Sequence, residues 1–252
     1  MTIDESHPDF VSSFARGLSV IRCFGQGAEH LTLTEVSVRA NLTRATARRL
    51  LLTLESIGYV KIEAGAFRLL PKVLELGYSY LNSMPLCDLA QPFMKNIVDK
   101  IDESCGLAVL DDTDVVYIAR IPPSHVYTIP VQVGMRMPAF INAMGQVLLA
   151  EFNDEELDVF FQKANLSKLT KYTDTDPSSI RATLRRVKEQ GYAMPVDQVY
   201  EGRVSLAVPI RNRQGKAIAA MNVSGMLSRV TLERCTEEFL PMLQHAAQQL
   251  SI

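Results

Sequence analysis

The chain has 252 residues, of which 47% are hydrophobic, and its formal net charge is −2. This length predicts about two domains, each able to form its own core. The near-neutral charge excludes a protein that binds nucleic acid through a generally basic surface, so any such binding must be confined to a local patch. No apolar run is long enough to span a membrane, and the polar start of the chain is unlike a signal peptide.

The cysteine pattern argues against structural zinc and against disulfides. The four cysteines are far apart, with no CxxC pair and no histidine grouped nearby: Cys23, Cys87, Cys105 and Cys235. Such isolated thiols are typical of a reducing compartment. We therefore expect a cytoplasmic protein without a membrane association and without a bound cofactor.

The first segments in chain order are a lead-in and a helix. Residues 1–12 are polar and acidic, and we expect them to be disordered. The stretch FARGLSVIRCFG then places Phe14, Leu18, Ile21 and Phe24 on one helical face. This helix opens a predicted domain over residues 13–70.

Residues 31–70 have the pattern of a winged helix-turn-helix. A short helix, a turn at residues 40–42 and a second helix are followed by a hairpin that turns at residues 64–65. Thr43 and Thr46 are positioned to begin the second helix, and Gly58 supplies the left-handed residue expected after its end. The apolar positions of the second helix recur on one face: Ala47, Leu50, Leu51, Leu54 and Ile57.

Three arginines of the second helix, Arg44, Arg48 and Arg49, lie off its apolar face. No acidic residue occurs between Val36 and Leu54. Guanidinium groups on an exposed helix suit guanine edges and phosphates. The alternative is an ordinary solvated helix face, but the helix, turn, second helix and wing occur together and in order. We predict that base edges are read by Arg44, Arg48 and Arg49, and that phosphates are held by Thr43, Thr46, Lys61 and Arg68.

A second helical pattern, over residues 71–85, follows Pro71. Its apolar stripe contains Leu74, Gly77, Tyr78 and Leu81, which is too apolar for an isolated surface helix. We predict a linker helix that also forms a dimer surface. Packing of the stripe on its own domain explains the pattern equally well.

Residues 86–252 are predicted to form an α+β domain, with an antiparallel sheet covered by helices. A helix over residues 88–102 precedes a hairpin around residues 112–114, and a strand is predicted at residues 128–134. Further helices begin near Asn153 and Asp176. Strands at residues 192–200, 201–210 and 216–225 precede a closing helix.

The second domain contains the outline of a small-molecule pocket. Residues 142–145 open a helix, whose free N–H groups and dipole could receive a carboxylate. Two late strands carry polar residues at alternating positions, Arg203 with Ser205 and Asn222 with Ser224. Polar groups on a buried face need hydrogen-bond partners, which could be a ligand, each other, or water.

The sequence has no recognisable catalytic motif. His7, His30, His125 and His245 are not part of a GxSxG, an HExxH or a Cys/His pair. Turn formation explains the carboxylates of residues 111, 112 and 114 more simply than acid–base chemistry does. We therefore predict that the chain is not an enzyme.

Several blocks together resemble the isocitrate-lyase-regulator (IclR) family of bacterial transcription factors. The blocks occur in order over nearly the whole chain: FARGLSVIRCF, LTEVSVRANLTRATARRLLLTLESIGYV, LPKVLELGYSYL, VGMRMPAFINAMGQVLLA, EGRVSLAVPI and AIAAMNVSG. The resemblance implies a winged helix-turn-helix, a linker helix used in dimerisation, and a C-terminal effector-binding domain in a homodimer or dimer of dimers. The chain looks most like the branch that controls aromatic-acid catabolism through protocatechuate and β-ketoadipate.

The resemblance also implies a set of effector contacts. They are Ala143, Met144, Gly145, Gly202, Arg203, Ser205, Asn222 and Ser224. The chain departs from the family pattern at Phe140 and Asn142, where many members have His and a small hydroxyl residue, and at Gln146, where the branch has Arg. Arg203, where an apolar residue is common, suggests a ligand with a carboxylate, and Phe140 favours an aromatic one.

Two hypotheses follow from the sequence. The first is a ligand-responsive regulator that binds a palindromic operator in double-stranded DNA, responds to a small organic acid and controls a catabolic operon. The second is a small-molecule-binding or catalytic protein whose winged module serves protein contacts. DNA binding that depends on the arginines distinguishes the first from the second.

Overall fold

The computed structural model describes residues 5–25, 28–124 and 131–251 and divides the chain into two compact units, Met1–Tyr80 and Leu81–Ile252. The division falls within the predicted linker. In the predicted lead-in, residues 1–4 lie outside the described residues, and residues 5–11 form turns without a helix.

The first unit is the predicted winged helix-turn-helix. A capping box between Thr32 and Glu35 begins the helix Leu33–Arg39. The Thr43 side chain caps the helix Arg44–Ser56 by accepting a hydrogen bond from the Thr46 N–H. Gly58 has the left-handed conformation expected after that helix (φ 81°). The elements are α1 Ser12–Arg22, β1 Leu31–Thr32, α2 Leu33–Arg39, α3 Arg44–Ser56, β2 Val60–Glu63 and β3 Ala66–Leu69.

The wing is a three-stranded antiparallel sheet in the order β1-β3-β2. Its hairpin turns at Ala64 and Gly65, which have φ values of 49° and 82°. A two-residue turn with both φ values positive matches the twist of a hairpin. Strand β1 was not predicted, because two residues at the start of a helix carry no strand periodicity of their own.

The predicted linker forms a 3₁₀ turn at Pro71–Val73 and the helix α4, Leu74–Asn82. Two members of its apolar stripe are exposed, since Leu74 is 70% exposed and Tyr78 is 63% exposed. Leu81, at the other end of the stripe, packs against the core of the second unit, so the alternative of packing within the chain holds for Leu81 and not for Leu74 or Tyr78.

The second unit contains a five-stranded antiparallel sheet in the order β6-β5-β4-β8-β7. The strands are β4 Ser104–Asp111, β5 Asp114–Ile121, β6 Arg136–Pro138, β7 Arg203–Arg211 and β8 Ala217–Met226. The helices are α5 Pro85–Ile101, α6 Ala143–Leu149, α7 Asp154–Lys163, α8 Pro177–Gln190, α9 Leu232–Arg234 and α10 Leu240–Gln249, the last two being joined by a π-helical turn at Cys235–Phe239.

Helices cover both faces of this sheet, as predicted. Helices α5 and α10 bury one face, where Leu107, Leu206 and Met221 form the core. Helices α6 and α8 lie on the opposite face, where the sheet contributes small residues such as Ala108 and Ala207. The small residues let α6 pack closely on the sheet, and the start of this helix, at Asn142 and Ala143, lies at the candidate site.

Two predicted strands are wrong. Of residues 128–134, the first three lie outside the described residues, and the remainder form a turn instead of a strand. Residues 192–200 make only isolated bridges, Ala193 with Ala207 and Val196 with Val204. Pro195 has no N–H to donate, and Asp197 has φ of 57°, which an extended strand does not tolerate.

Within the described ranges, no helix is both long and apolar enough to cross a membrane.

Candidate functional site

A cavity opens beside α6 in the second unit. It is partly open to solvent, and about 70 Å³ of it can hold the centre of a water-sized sphere. Five of the predicted effector contacts line it: Ala143, Arg203, Ser205, Asn222 and Ser224. Both late strands therefore do turn their alternating polar residues toward one cavity.

The polar strand residues partly satisfy each other. Asn222 is 4% exposed, and its Nδ2 donates to Ser205 Oγ at 2.9 Å. Ser224 Oγ donates to the Val204 carbonyl at 3.3 Å. The alternative that these residues bond to one another therefore holds for Asn222 with Ser205, whereas Ser224 bonds to the backbone.

Arg203 has an incomplete hydrogen-bond set. In the part of the chain that the structure describes, its Nε is the only buried side-chain nitrogen or oxygen without a partner. Burial lowers the pKa of Arg203. The nearby Glu103 opposes this shift, and the positive charge of Arg120 adds to it. A buried cation with a free donor favours an anion that enters the cavity.

Arg120 and Tyr117 extend the cavity lining beyond the predicted residues. Burial lowers the pKa of Arg120 and raises that of Tyr117, so the guanidinium is desolvated and the phenol stays neutral. Asn142 Nδ2 lies 3.5 Å from Tyr117 Oη. The cavity therefore combines a cationic part with a neutral hydrogen-bonding part.

Gly106 shapes the cavity floor between these groups. A Cβ at this position would lie 2.7 Å from Asn222 Oδ1 and 3.0 Å from Tyr117 Cε1. Only glycine allows both side chains to keep their positions. Sequence reasoning had no signal for Gly106, because its role depends on two strands that neighbour it in space.

Residues 195–202 form a strap across the cavity, and the side chains of Pro195, Gln198 and Tyr200 in this strap line the cavity. Side-chain bonds hold the strap to the preceding loop. Thr170 Oγ1 donates to the Asp197 carbonyl at 2.6 Å, Thr173 Oγ1 donates to the Gln198 carbonyl at 2.7 Å, and Gln198 Nε2 donates to the Tyr172 carbonyl at 2.8 Å.

The structure does not place Met144, Gly145 or Gly202 in the cavity lining. The Met144 side chain is fully buried, and its N–H donates to Asn142 Oδ1. A Cβ on Gly145 would lie 2.2 Å from the Ala139 carbonyl oxygen, so this glycine allows a close backbone approach. Gly202 turns the chain at φ 77° and donates to Asp197 Oδ1.

Two family departures have structural roles away from this cavity. Phe140 is 2% exposed, packs in the core beneath α6 and is absent from the cavity lining. Gln146 is also buried, and its Nε2 donates to the Phe140 carbonyl at 3.0 Å. Phe140 therefore cannot support the expectation of an aromatic ligand through direct contact.

The predicted DNA-binding residues of α3 are accessible. Arg44, Arg48 and Arg49 are exposed, as α3 turns Ala47 and Leu51 into the core. Thr43 Oγ1 and Thr46 Oγ1 lie 2.9 Å apart at the helix start. Within the described ranges, none of the three guanidinium groups forms an ion pair with a carboxylate.

The wing cations have a different environment. Lys61 Nζ lies 2.8 Å from Glu63 Oε1, and Arg68 Nε lies 2.9 Å from Glu63 Oε2. Hydrogen bonds from Arg68 and then from Lys61 lower the pKa of Glu63 to about 2. The two wing residues predicted to contact phosphate, Lys61 and Arg68, are thus both paired with the Glu63 carboxylate.

The carboxylates of the β4–β5 hairpin have a structural explanation. Asp112 adopts φ of 55° in the turn, and Arg136 bridges Asp111 and Asp114. The described part of the chain contains no group of three or more His, Cys, Asp or Glu side chains that could hold a metal ion.

Family models match both units of the chain. The IclR helix-turn-helix domain matches residues 13–63, and the C-terminal region of bacterial transcriptional regulator IclR matches residues 78–252. The chain belongs to the IclR family of transcriptional regulators. It is a ligand-sensing, DNA-binding regulator and not an enzyme, which excludes the second sequence hypothesis.

Individual IclR relatives extend the match. The chain is 39% identical to the Pca regulon regulatory protein of Pseudomonas putida, over 96% of this chain and 84% of the relative. A crystal structure of a transcriptional regulator from Rhodococcus sp. RHA1 is 41% identical, with a TM-score of 0.84 and coverage of 96% and 97% of the two chains. An IclR homologue from Microbacterium hydrocarbonoxydans, complexed with 4-hydroxybenzoate, is 25% identical, with a TM-score of 0.81 and coverage of 95% and 97%.

The IclR resemblance inferred from sequence is thereby confirmed, including its similarity to regulators of aromatic-acid genes. Sequence reasoning missed several cavity residues, namely Tyr117, Arg120, Gln198 and Tyr200. Arg120 could have been found, since a cation inside the apolar strand VVYIARI is unusual and calls for a partner.

Proposed function

We propose that this IclR-family chain controls a catabolic operon in response to a small aromatic carboxylic acid, which binds beside Arg203. The observation that carries the proposal is the buried Nε of Arg203, which lacks a partner among the described residues and belongs to a side chain that lines the cavity. A carboxylate supplies both the negative charge and the acceptor that this guanidinium needs.

The identity of the acid is supported by two kinds of evidence. The similarity to a Pca regulon regulator and to a homologue crystallised with 4-hydroxybenzoate favours a hydroxylated benzoate. The cavity offers Tyr117 and Asn142 as hydrogen-bonding partners for a ring hydroxyl, and Arg203 and Arg120 as partners for the carboxylate. Of the predicted contacts, we retain Ala143, Arg203, Ser205, Asn222 and Ser224 as direct ones.

The DNA-binding surface of the proposal is the exposed face of α3. Arg44, Arg48 and Arg49 are free of carboxylate partners in the described structure and can reach base edges in the major groove. Thr43 and Thr46 stand at the start of the same helix, where phosphate contacts are favourable. Such a regulator of chromosomal genes acts in the cytoplasm.

The proposed assembly is a homodimer, or a dimer of such dimers, on a palindromic operator. An apolar groove in the first unit is lined by Phe14, Leu18, Leu50, Ile57 and Leu76. Phe14 is 68% exposed and Leu76 is 49% exposed, so a second copy of the chain would bury substantial apolar surface. Two-fold symmetry of the protein then requires two half-sites, about one helical turn apart or a multiple of that.

Fluorescence anisotropy tests the proposed function directly. A duplex selected by the protein from a random-sequence library should bind the parent chain, and Arg48→Ala should weaken binding by about 1–3 kcal/mol and relax the selected sequence. Protocatechuate or 4-hydroxybenzoate should change this affinity and raise the melting temperature of the protein. Sequence-independent binding, or the absence of any effect of either acid at millimolar concentration, contradicts the proposal.

A further inference from the structure

The wing places two cations opposite each other. In the β2–β3 register, Lys61 pairs directly with Arg68, and Glu63 pairs with Ala66 two residues nearer the turn. Like charges that face each other across a sheet are unfavourable. Glu63 lies on the same face two residues along from Lys61, and its carboxylate contacts both cations.

We propose that Glu63 is a specificity-determining residue, because it keeps the Lys61 and Arg68 charges in ion pairs and thereby limits sequence-independent binding of the wing to DNA phosphates. The inference rests on the proposed DNA-binding function. It concerns the balance between specific and non-specific binding, which the proposed function leaves open.

The physical basis is a contrast between α3 and the wing. The α3 arginines, which are positioned to read bases, form no carboxylate pair in the described structure, whereas both cations of the β2–β3 hairpin share one carboxylate. Each cation that neutralises a phosphate releases counterions and contributes affinity for any sequence. A paired cation has to exchange its carboxylate for the phosphate and therefore contributes less.

The carboxylate is a persistent partner at physiological pH. Side-chain hydrogen bonds from Arg68 and Lys61 hold the pKa of Glu63 at about 2, so the group is ionised. Its side chain is 35% exposed and that of Lys61 is 54% exposed. The pair is thus accessible to DNA and to salt, and its effect has to appear in the salt dependence of binding.

The decisive variant is Glu63→Gln, which keeps the side-chain shape and removes the charge. We expect a steeper slope in a plot of the logarithm of the DNA association constant against the logarithm of the salt concentration. The slope should change by about 0.9 for each additional phosphate that the wing neutralises, and hence by roughly 1 to 2 when one or both cations are freed. Affinity for a scrambled duplex should rise more than affinity for the selected duplex. The matched control is Asp99→Asn, which frees Lys95 from an exposed ion pair in the second unit and should leave both slopes unchanged.

A second pair of variants separates this role from a structural one. Lys61→Gln should have little effect in the parent chain, but it should remove about one unit of the added slope in the Glu63→Gln background. The double variant also relieves the repulsion between Lys61 and Arg68, so it keeps the test interpretable if Glu63→Gln alone unfolds the wing. A slope in Glu63→Gln that equals the parent's, with a folded wing by circular dichroism, overturns the proposal.

The same measurements distinguish this failure from failure of the proposed function. If the parent chain does not prefer its selected duplex over the scrambled one, or if Arg48→Ala has no effect on that preference, the proposed function fails. The effect of Glu63 is still read from the scrambled duplex in that case. If the preference is present and depends on Arg48 while the slopes are unchanged, only the inference about Glu63 fails.

Discussion

Asn222 and Ser205 are joined across strands β7 and β8 by a hydrogen bond of 2.9 Å, from the Asn222 amide to the Ser205 hydroxyl oxygen. One amide N–H of Asn222 is thus satisfied without a ligand, while the Ser205 hydroxyl keeps its own hydrogen available for donation. Asn222 therefore orients Ser205, whose hydroxyl can donate to a carboxylate.

Removal of the Ser205 hydroxyl should destabilise the protein without any ligand present. Ser205→Ala leaves the buried Asn222 amide without its acceptor, at a cost of about 1–3 kcal/mol in the free energy of unfolding. Ser224→Ala is the matched control on the neighbouring strand, because its longer bond to a carbonyl contributes less. Urea unfolding checks the prediction, and equal losses in both variants would contradict it.

Replacement of Arg203 should separate ligand binding from stability. Arg203→Met should weaken binding of 4-hydroxybenzoate by about 1.5–3 kcal/mol, equivalent to roughly a 10- to 150-fold change in Kd, because a charged hydrogen bond is lost. The ligand-free melting temperature should stay the same or rise, since a partly buried cation with an unpartnered donor disfavours the fold.

Isothermal titration and thermal melting measure these two effects of Arg203→Met. Arg213→Met, in the exposed β7–β8 turn, is the control that changes neither. Unchanged affinity for the acid in Arg203→Met would remove this residue as the anchor, even if DNA binding is intact.

Gly145 should prove to be a packing residue. Gly145→Ala forces a Cβ to within 2.2 Å of the Ala139 carbonyl oxygen, and we expect a loss of about 1–3 kcal/mol or more in the free energy of unfolding. Gly77→Ala in α4 meets no atom within 4 Å and should be neutral or stabilising by about 0.5–1 kcal/mol. Denaturant unfolding of both variants tests the contrast, and similar stabilities would refute the close approach.

The wing should lose stability in acid through Glu63. Because ion pairing lowers its pKa to about 2, compared with about 4.3 for a free glutamate, its contribution is complete above the unfolded value and is lost as the pH falls from about 4.3 toward 2. Amide hydrogen exchange of β2 and β3 across this range measures the loss. In Glu63→Gln the exchange rates of these strands, corrected for intrinsic chemistry, should lack this pH-dependent component.

Local sequence patterns were sufficient for the winged unit. Thr43, Gly58 and the Ala64-Gly65 turn each determine a backbone conformation within four residues, and all have the structure that the sequence predicts. The strand β1 was not predictable, because it exists only through its pairing with β3. Elements defined by short-range chemistry were therefore predicted, and elements defined by a distant partner were not.

The candidate site shows the same division. Alternation within β7 and β8 correctly grouped Arg203, Ser205, Asn222 and Ser224 in one cavity. The helix start was less informative, since α6 directs Met144 into the core. Residues contributed by β5 and the strap were missed, because β5 reaches the cavity only through the pairing of β4 with the distant β8, and the strap only through isolated bridges to β7.

We expect the strap over the cavity to affect the timing of the response. Its carbonyl groups at Asp197 and Gln198 accept hydrogen bonds from Thr170 and Thr173, so ligand entry beneath the strap requires local opening of these contacts. A slow opening step lengthens the residence time of a bound acid. We expect the regulator to average the supply of its acid over that residence time, and brief fluctuations in concentration should not be transmitted to transcription.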